Sequence, residues 1–124
     1  MESSLWYSGF VIKGKGRGTL LGFSTINLSV KKNLPVKHGI YLCLIKIINQ
    51  EYRGLLHWGS IPTFAEKKPV IEILVKEKVE NLTMDSEIFF QPQKYLREII
   101  KFEKTQDLSE QIKKDLQALS QFTK

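Results

Sequence analysis

The stretch that decides the fold is GIYLCLIKII at residues 39–48, followed by NQE at 49–51 and YRGLLHW at 52–58. Residues 39–48 are dense in Ile, Leu and Tyr, which gives them the composition of a strand. The three polar residues that follow suit a short turn. The sequence therefore predicts a β-hairpin with strands at 39–48 and 52–58.

Shorter strand-like segments lie on both sides of this hairpin. They fall at residues 5–12, at 70–75 (VIEILV) and at 87–91, and we expect the last of these to end near Pro92. The C-terminal segment differs, because apolar residues recur there at helical spacing, at positions 108, 112, 116, 119 and 122. Asp107 and Glu110 are spaced as in a capping box, which indicates the start of a helix.

These elements predict one mainly β domain over residues 1–124, with a small barrel at about 5–95 and a C-terminal α-helix at about 107–122. A barrel removes its open strand edges by closure, and the helix would cover one flank. Strand propensity alone leaves open whether this is an OB-like barrel or another small β roll.

Composition narrows the class of protein. With 42% hydrophobic and 26% charged residues, the chain is an ordinary globular domain, and its single cysteine, Cys43, is expected to be a small buried hydrophobe. No secretory signal pattern and no apolar run of the ~20 residues that span a membrane is present, so we expect a cytoplasmic protein. The net charge of +6 favours anionic partners, either nucleic acid or phosphate-bearing small molecules.

A glycine cluster follows the first expected strand. Gly14, Gly16, Gly18 and Gly22 stand close together, with Lys15 among them. Glycine allows backbone N–H groups to approach an anion, so this segment is a candidate phosphate-binding loop. A solvated hairpin loop, in which the glycines serve only geometry, is the alternative. The segment is not a P-loop, because glycine stands where that motif needs Ser or Thr.

Three polar residues on expected extended segments could act on such a phosphate. Thr25 and Asn27 are two residues apart and therefore point the same way, as two oxygen ligands for Mg²⁺ would. Glu72 stands inside the apolar segment VIEILV and could be a general base. Taken singly, Thr25 and Asn27 could be turn residues, and Glu72 could face outward on a half-exposed strand.

These motifs occur in a fixed order along the chain. The N-terminal pattern comprises Gly9, Val11, Gly14, Gly18, Leu21, Gly22, Phe23, Thr25, Asn27 and Leu28. Later positions are Gly39, Tyr41, Gly59, Pro62, Thr63, Phe64, Glu72, Leu96, Arg97, Lys101, Phe102, Leu108, Gln111, Ile112 and Asp115. Over about residues 9–122 this series resembles the riboflavin kinase family, which occurs alone or as the C-terminal half of bifunctional kinase/FAD synthetases.

The resemblance implies a six-stranded Greek-key barrel with a C-terminal helix and transfer of the ATP γ-phosphate to riboflavin, giving FMN and ADP. It implies that the glycine loop holds the ATP phosphates, that Thr25 and Asn27 bind Mg²⁺, and that Glu72 is the catalytic base. Arg97, His57 and Trp58 are candidate flavin contacts. We expect a monomer without nucleic-acid or membrane partners.

Two other functions stay open. The chain departs from the family pattern at Ser24, Ile61, Thr83, Met84 and Ile99, which would also suit a flavin- or nucleotide-binding module without turnover. The basic charge, together with aromatic residues at positions 6, 7, 10 and 58, would suit a small β barrel that binds nucleic acid.

Overall fold

A computed structural model, which describes residues 5–14, 24–77, 79 and 82–122, contains a closed antiparallel barrel of six strands and one C-terminal helix. The strands are β1 (Tyr7–Ile12), β2 (Thr25–Ser29), β3 (Gly39–Ile47), β4 (Gln50–Ile61), β5 (Glu66–Val75) and β6 (Glu87–Arg97). Their order around the barrel is β1-β2-β5-β4-β3-β6, and the helix, α1, spans Thr105–Ser120. The predicted barrel with a C-terminal helix is confirmed.

The interior of the barrel is filled by apolar side chains, one from every second position of each strand. This core includes Ile26, Cys43, Leu56, Ile73 and Phe90, all of which are buried. Cys43 is fully buried, as its sequence position predicts, and burial raises the pKa of its thiol. Because side chains alternate between the two faces of a strand, the intervening positions point outward from the barrel.

Helix α1 covers part of this outer face. Leu42, Leu55 and Leu74 project outward and form a second apolar cluster with Leu119 of α1. The strand β3 is therefore buried on both faces, which explains why residues 39–48 read as a continuous apolar run. Within the described part of the chain, no helix is long and apolar enough to cross a membrane.

The helix begins two residues earlier than predicted, at Thr105, and its N-cap position is Lys104, which makes no side-chain capping bond. The predicted capping box at Asp107 and Glu110 is therefore wrong. Asp107 instead lies in the first turn, where its charge favours the helix dipole.

Strand β6 also differs from the prediction, because it continues through Pro92 to Arg97. Pro92 pairs with Cys43, and the register between β3 and β6 shifts between Leu42 and Cys43. Such an irregularity allows a proline to remain in a sheet although it has no N–H to donate. The longer strand places Arg97 opposite Ile40 on β3.

Candidate functional site

One row of paired residues crosses the outer face of the barrel and contains most of the predicted site. Asn27 on β2 pairs with Glu72 on β5, which pairs with His57 on β4. The row continues through Ile40 on β3 to Arg97 on β6. Strand pairing thus brings together four polar residues from separate parts of the sequence.

An apolar cavity lies between this row and α1. Glu72, His57, Arg97 and Thr25 contribute to its wall, and so does Asp115 from the helix. Its apolar wall includes Ile40, Leu55, Leu74, Ile99, Phe102 and Ile112. The 3₁₀ turn Pro62–Phe64 closes one side. An apolar cavity with a few polar groups along one wall is the usual form of a site for a largely aromatic ligand.

A second, more polar groove begins at Glu72 and extends toward the end of β1. Lys13, Gly14 and Asn27 line it, with Ile61 and Glu72 shared between the groove and the cavity. Gly14 lies so close to Asn27 that a β-carbon at position 14 would overlap the Asn27 amide. A larger residue at position 14 would have to displace the Asn27 amide, so glycine permits this close approach. Glu72 lies where the groove and the cavity meet.

The predicted metal ligands share a face of β2, as their spacing requires. Thr25 and Asn27 are both partly buried and point outward, whereas Ile26 and Leu28 between and beyond them are buried in the core. Thr25 lines the cavity and Asn27 lines the groove. Among the residues that the structure describes, no cluster of three His, Cys, Asp or Glu side chains could hold a metal by itself.

The predicted phosphate loop can be compared only at its first position. Gly14 lies in the groove beside Asn27. Lys15, Gly16, Gly18 and Gly22 lie outside the described residues. Their part in phosphate binding stays a prediction.

Arg97 is held by the helix. Its Nη2 donates to Oδ2 of Asp115 at 2.7 Å, and its Nε lies 3.1 and 3.2 Å from the two carboxylate oxygens. Gln111 also donates to Asp115, from Nε2 to Oδ1 at 3.1 Å, and Nη1 of Arg97 donates to the Glu98 carbonyl at 3.0 Å. Arg97 thus combines two roles, since it lines the cavity and fastens α1 to the barrel.

His57 and Trp58, adjacent on β4, point to opposite faces. Trp58 is 4% exposed, belongs to the barrel core and donates from Nε1 to the Val36 carbonyl at 3.0 Å. It reaches the polar groove but not the cavity under α1. His57 and Trp58 therefore face different pockets, and the predicted flavin contacts of both residues stay predictions.

Only His57 of this pair lines the cavity. Its Nε2 lies 2.6 Å from the carbonyl oxygen of Ser60. Burial lowers the pKa of His57 below its ordinary value, and the charge of Arg97 lowers it further. Burial therefore favours the neutral form of the imidazole.

Asp115 appeared in the sequence analysis only as a position of the family pattern, with no role in the site assigned to it. It is buried although it is an acid, because Arg97 and Gln111 satisfy its oxygens. Its position gave a signal, since it lies three residues after Ile112 and four before Leu119, on the apolar side of the helix. An acid within an apolar helical stripe indicates a buried partner.

Comparison with known proteins shows the family to which this chain belongs. A family model described as Flavokinase, riboflavin kinase, matches residues 1–123, so the chain belongs to the riboflavin kinase family. The bifunctional riboflavin kinase/FMN adenylyltransferase of Buchnera aphidicola is 30% identical over 119 residues, which are 93% of this chain and 38% of the relative. Its counterpart in Bacillus subtilis is 32% identical over 88% of this chain and 35% of the relative.

Two further proteins extend the comparison. The RNA-binding riboflavin kinase RibR of Bacillus subtilis is 28% identical over 91% of this chain and 49% of the relative. This chain thus spans less than half the length of each of these relatives. A Streptococcus pneumoniae structure titled a macrolide-efflux protein superposes with a TM-score of 0.82 over 96% of this chain and 39% of that one, at 22% identity. That similarity concerns the fold alone.

Proposed function

We propose that this protein is a riboflavin kinase, which transfers the γ-phosphate of ATP to the 5′-hydroxyl of riboflavin and releases FMN and ADP. The observation that supports this most is the position of Glu72, which lies where an apolar cavity meets a polar, glycine-edged groove. A kinase for a flavin needs such a junction, because an aromatic acceptor and a polyphosphate donor must meet at one base. Family membership supports the same reaction.

Glu72 is the general base in this proposal. Its carboxylate accepts the proton of the 5′-hydroxyl while that oxygen forms a bond to the γ-phosphorus. The bond between the γ-phosphorus and the bridging oxygen breaks, and its electron pair stays on ADP. Partial burial beside apolar neighbours on β5 limits the water that would compete for the phosphoryl group.

Thr25 and Asn27 would hold the Mg²⁺ that accompanies ATP. The donor set fits, because a hydroxyl and an amide oxygen on one face of β2 are hard ligands, and Mg²⁺ takes its remaining ligands from phosphates and water. A bound magnesium ion would neutralise negative charge on the phosphates. Gly14 would begin the phosphate loop, which the family resemblance continues through Lys15, Gly16, Gly18 and Gly22.

The isoalloxazine ring would occupy the cavity between α1 and the barrel. Ile40, Leu55 and Phe102 supply apolar contacts, and His57 and Arg97 supply polar groups at its wall. Because Arg97 is already fixed by Asp115, it requires no rearrangement to meet a ligand. A contact between Trp58 and the flavin would have to come from the side of the groove.

A direct assay tests the proposal. The purified protein is incubated with riboflavin, ATP and Mg²⁺, and FMN is followed by chromatography. Glu72→Gln is the matched control, because it keeps the side-chain shape and removes the base. We expect FMN from the wild type and a loss of turnover of about 10²-fold or more in the variant, with folding and riboflavin binding retained.

A folded wild-type protein that binds riboflavin but forms no FMN would contradict the proposal. That outcome would support the second candidate, a flavin-binding module without turnover. The departures at Ile61 and Ile99 favour this candidate, because both residues line the cavity where a flavin would bind. Near-normal turnover in Glu72→Gln would remove Glu72 from the role of base while leaving the kinase in place.

A further inference from the structure

Three aromatic side chains lie on the outer side of the barrel at β1 and β6. Side chains alternate along a strand, and Gly9 and Val11 of β1 are buried, so Phe10 between them faces outward. Phe89 lies on β6 between two fully buried core residues and is 43% exposed. Trp6 precedes β1 and is 38% exposed. Phenylalanine is among the residue types most often buried, so this exposure is informative.

Strand pairing brings the three rings into one row. Ser8 pairs with Phe89, and Phe10 pairs with Glu87, two positions away on β6. Phe89 is therefore the diagonal neighbour of Phe10, and the same register continued by two residues makes it the diagonal neighbour of Trp6. Diagonal neighbours in an antiparallel pair are about 7–8 Å apart, which is within reach of aromatic side chains. We call the row of Trp6, Phe10 and Phe89 the aromatic face.

Lysines flank the aromatic face on two sides. On one side, Lys46 of β3 pairs directly with Phe89, and its Nζ lies 5.0 Å from the centre of the Trp6 ring. On the other side, Lys31 and Lys32 are exposed and line a groove along β1. Ammonium groups are thus available on both flanks of the rings.

Two acidic residues lie close to these lysines. Glu87 pairs with Phe10 at one end of the aromatic face. Glu51 is on β4 and pairs with Lys46 on the side away from Phe89. The immediate surroundings therefore carry more positive than negative charge, as does the chain as a whole with its net charge of +6.

This combination of residues distinguishes between two kinds of partner. Interfaces between proteins are enriched in aromatic residues but depleted in lysine. Proteins that bind single-stranded nucleic acid combine exposed aromatic rings, on which bases stack, with basic groups that contact the phosphates. Lysines on both flanks of an aromatic row favour the second kind of partner.

We propose that the aromatic face binds single-stranded nucleic acid, with bases stacked on its rings and phosphates beside Lys31, Lys32 and Lys46. The aromatic face is separate from the candidate active site, because its three residues line neither the cavity under α1 nor the polar groove. The inference therefore goes beyond the proposed kinase and does not rest on it.

The structure also changes which aromatic residues would serve this function. The sequence indicates positions 6, 7, 10 and 58. However, Tyr7 packs against Phe90 on the core side of the strand, and Trp58 is buried in the core. Phe89 instead completes the row, because the pairing of β1 with β6 places it beside Phe10.

The first test is fluorescence anisotropy of the whole protein with labelled single strands of RNA and of DNA. Strands of about 12 nucleotides lie within the usual range of site sizes. We expect binding that weakens as salt is raised, and tighter binding of RNA would indicate contacts to its 2′-hydroxyls. Phe89→Leu should weaken binding by about 5-fold or more, because a base loses its stacking partner. Phe89→Tyr is the matched control, which keeps a ring and should bind like the wild type.

The lysines are tested by two double variants of equal net charge. Lys31→Gln/Lys32→Gln removes charge beside the aromatic face, whereas Lys113→Gln/Lys114→Gln removes charge from an exposed part of α1. The slope of log affinity against log salt should decrease in magnitude by about 1.4 in the first double variant, at about 0.7 per charge for a single strand. In the second double variant it should stay at the wild-type value.

Three results would overturn the inference: a wild type that binds neither strand at low salt, wild-type affinity in folded Phe89→Leu, or equal slopes in the two double variants. The last of these would show that net charge alone attracts the strand. Circular dichroism verifies folding, and Trp6→Leu replaces Phe89→Leu if the latter does not fold. None of these measurements depends on FMN formation, so failure of the kinase and failure of this inference are distinguishable.

Discussion

The contact between Arg97 and Asp115 supports a quantitative prediction, because it joins α1 to the last strand of the barrel. The side chain of Asp115 is 5% exposed and that of Arg97 is 17% exposed, so neither charge is well hydrated. Asp115→Asn preserves the shape of the side chain and removes its charge. The guanidinium of Arg97 would then remain partly buried without a counterion.

The expected cost follows from this burial. Removing one partner of a buried ion pair typically destabilises a protein by about 3–5 kcal/mol, because the other charge is left uncompensated. We expect the lower end, about 3 kcal/mol, because Arg97 keeps some solvent contact and its bond to the Glu98 carbonyl. With a urea dependence of about 1–3 kcal/mol per molar, the midpoint of unfolding should fall by roughly 1–3 M.

The measurement is urea unfolding followed by circular dichroism, for the wild type, Asp115→Asn, Arg97→Met and the double variant Arg97→Met/Asp115→Leu. Each single variant should be clearly destabilised. The double variant should recover much of the loss, because an apolar pair leaves no buried charge. A midpoint shift below about 0.3 M in Asp115→Asn would refute the reasoning, since the pair would then contribute no more than an exposed one.

Three further predictions concern the groove and the imidazole. Asn27→Ala should raise the Mg²⁺ concentration needed for half-maximal FMN formation by roughly 10-fold, and an unchanged requirement would exclude Asn27 as a ligand. Gly14→Ala should raise the KM for ATP but not the Kd for riboflavin, because the new methyl group displaces the Asn27 amide; steady-state kinetics and flavin fluorescence separate the two. The pKa of His57 is lowered in the folded state, so below about pH 6.5 the unfolded state binds more protons and stability falls. Unfolding curves from pH 7.5 to 5 should therefore show the wild type losing stability relative to His57→Asn, and parallel curves would contradict this.

Local sequence patterns predict many of the strands of the barrel, but they do not predict the registers in which those strands pair. The hairpin of β3 and β4 could be predicted because residues 39–48 and 52–58 are apolar and are joined by a short polar turn. The end of β6 could not be predicted, because a proline is normally excluded from a central strand. Pro92 is tolerated here because the pairing of β6 with β3 is irregular between Leu42 and Cys43. Such an irregularity depends on the partner strand, which a local pattern does not contain.

The candidate site also combines features that local sequence predicts with features that depend on strand pairing. Alternation along β2 predicted that Thr25 and Asn27 share a face, which needs only local geometry. Pairing of Asn27 with Glu72, and of Glu72 with His57, follows from registers between distant segments and could be expected only through the family resemblance. Adjacency in sequence does not place His57 and Trp58 on one surface, because neighbouring residues in a strand face opposite sides.

The position of Glu72 shows that a residue can face outward from the barrel and still be a candidate general base. The sequence allowed either a general base or an outward-facing residue on a half-exposed strand, and Glu72 does face outward from the barrel. The barrel interior is filled by side chains such as Ile73 and Phe90, so a substrate has to bind to the outer surface. Helix α1 and the turn Pro62–Phe64 cover the surface beside Glu72, so that this surface becomes one wall of a cavity. An outward-facing residue of a closed barrel is therefore a candidate for catalysis wherever a later element of the chain covers the surface around it. On β5, Ile71 and Ile73 fill the barrel core. Leu74 faces outward and packs beneath the helix, which indicates that α1 covers the surface beside Glu72.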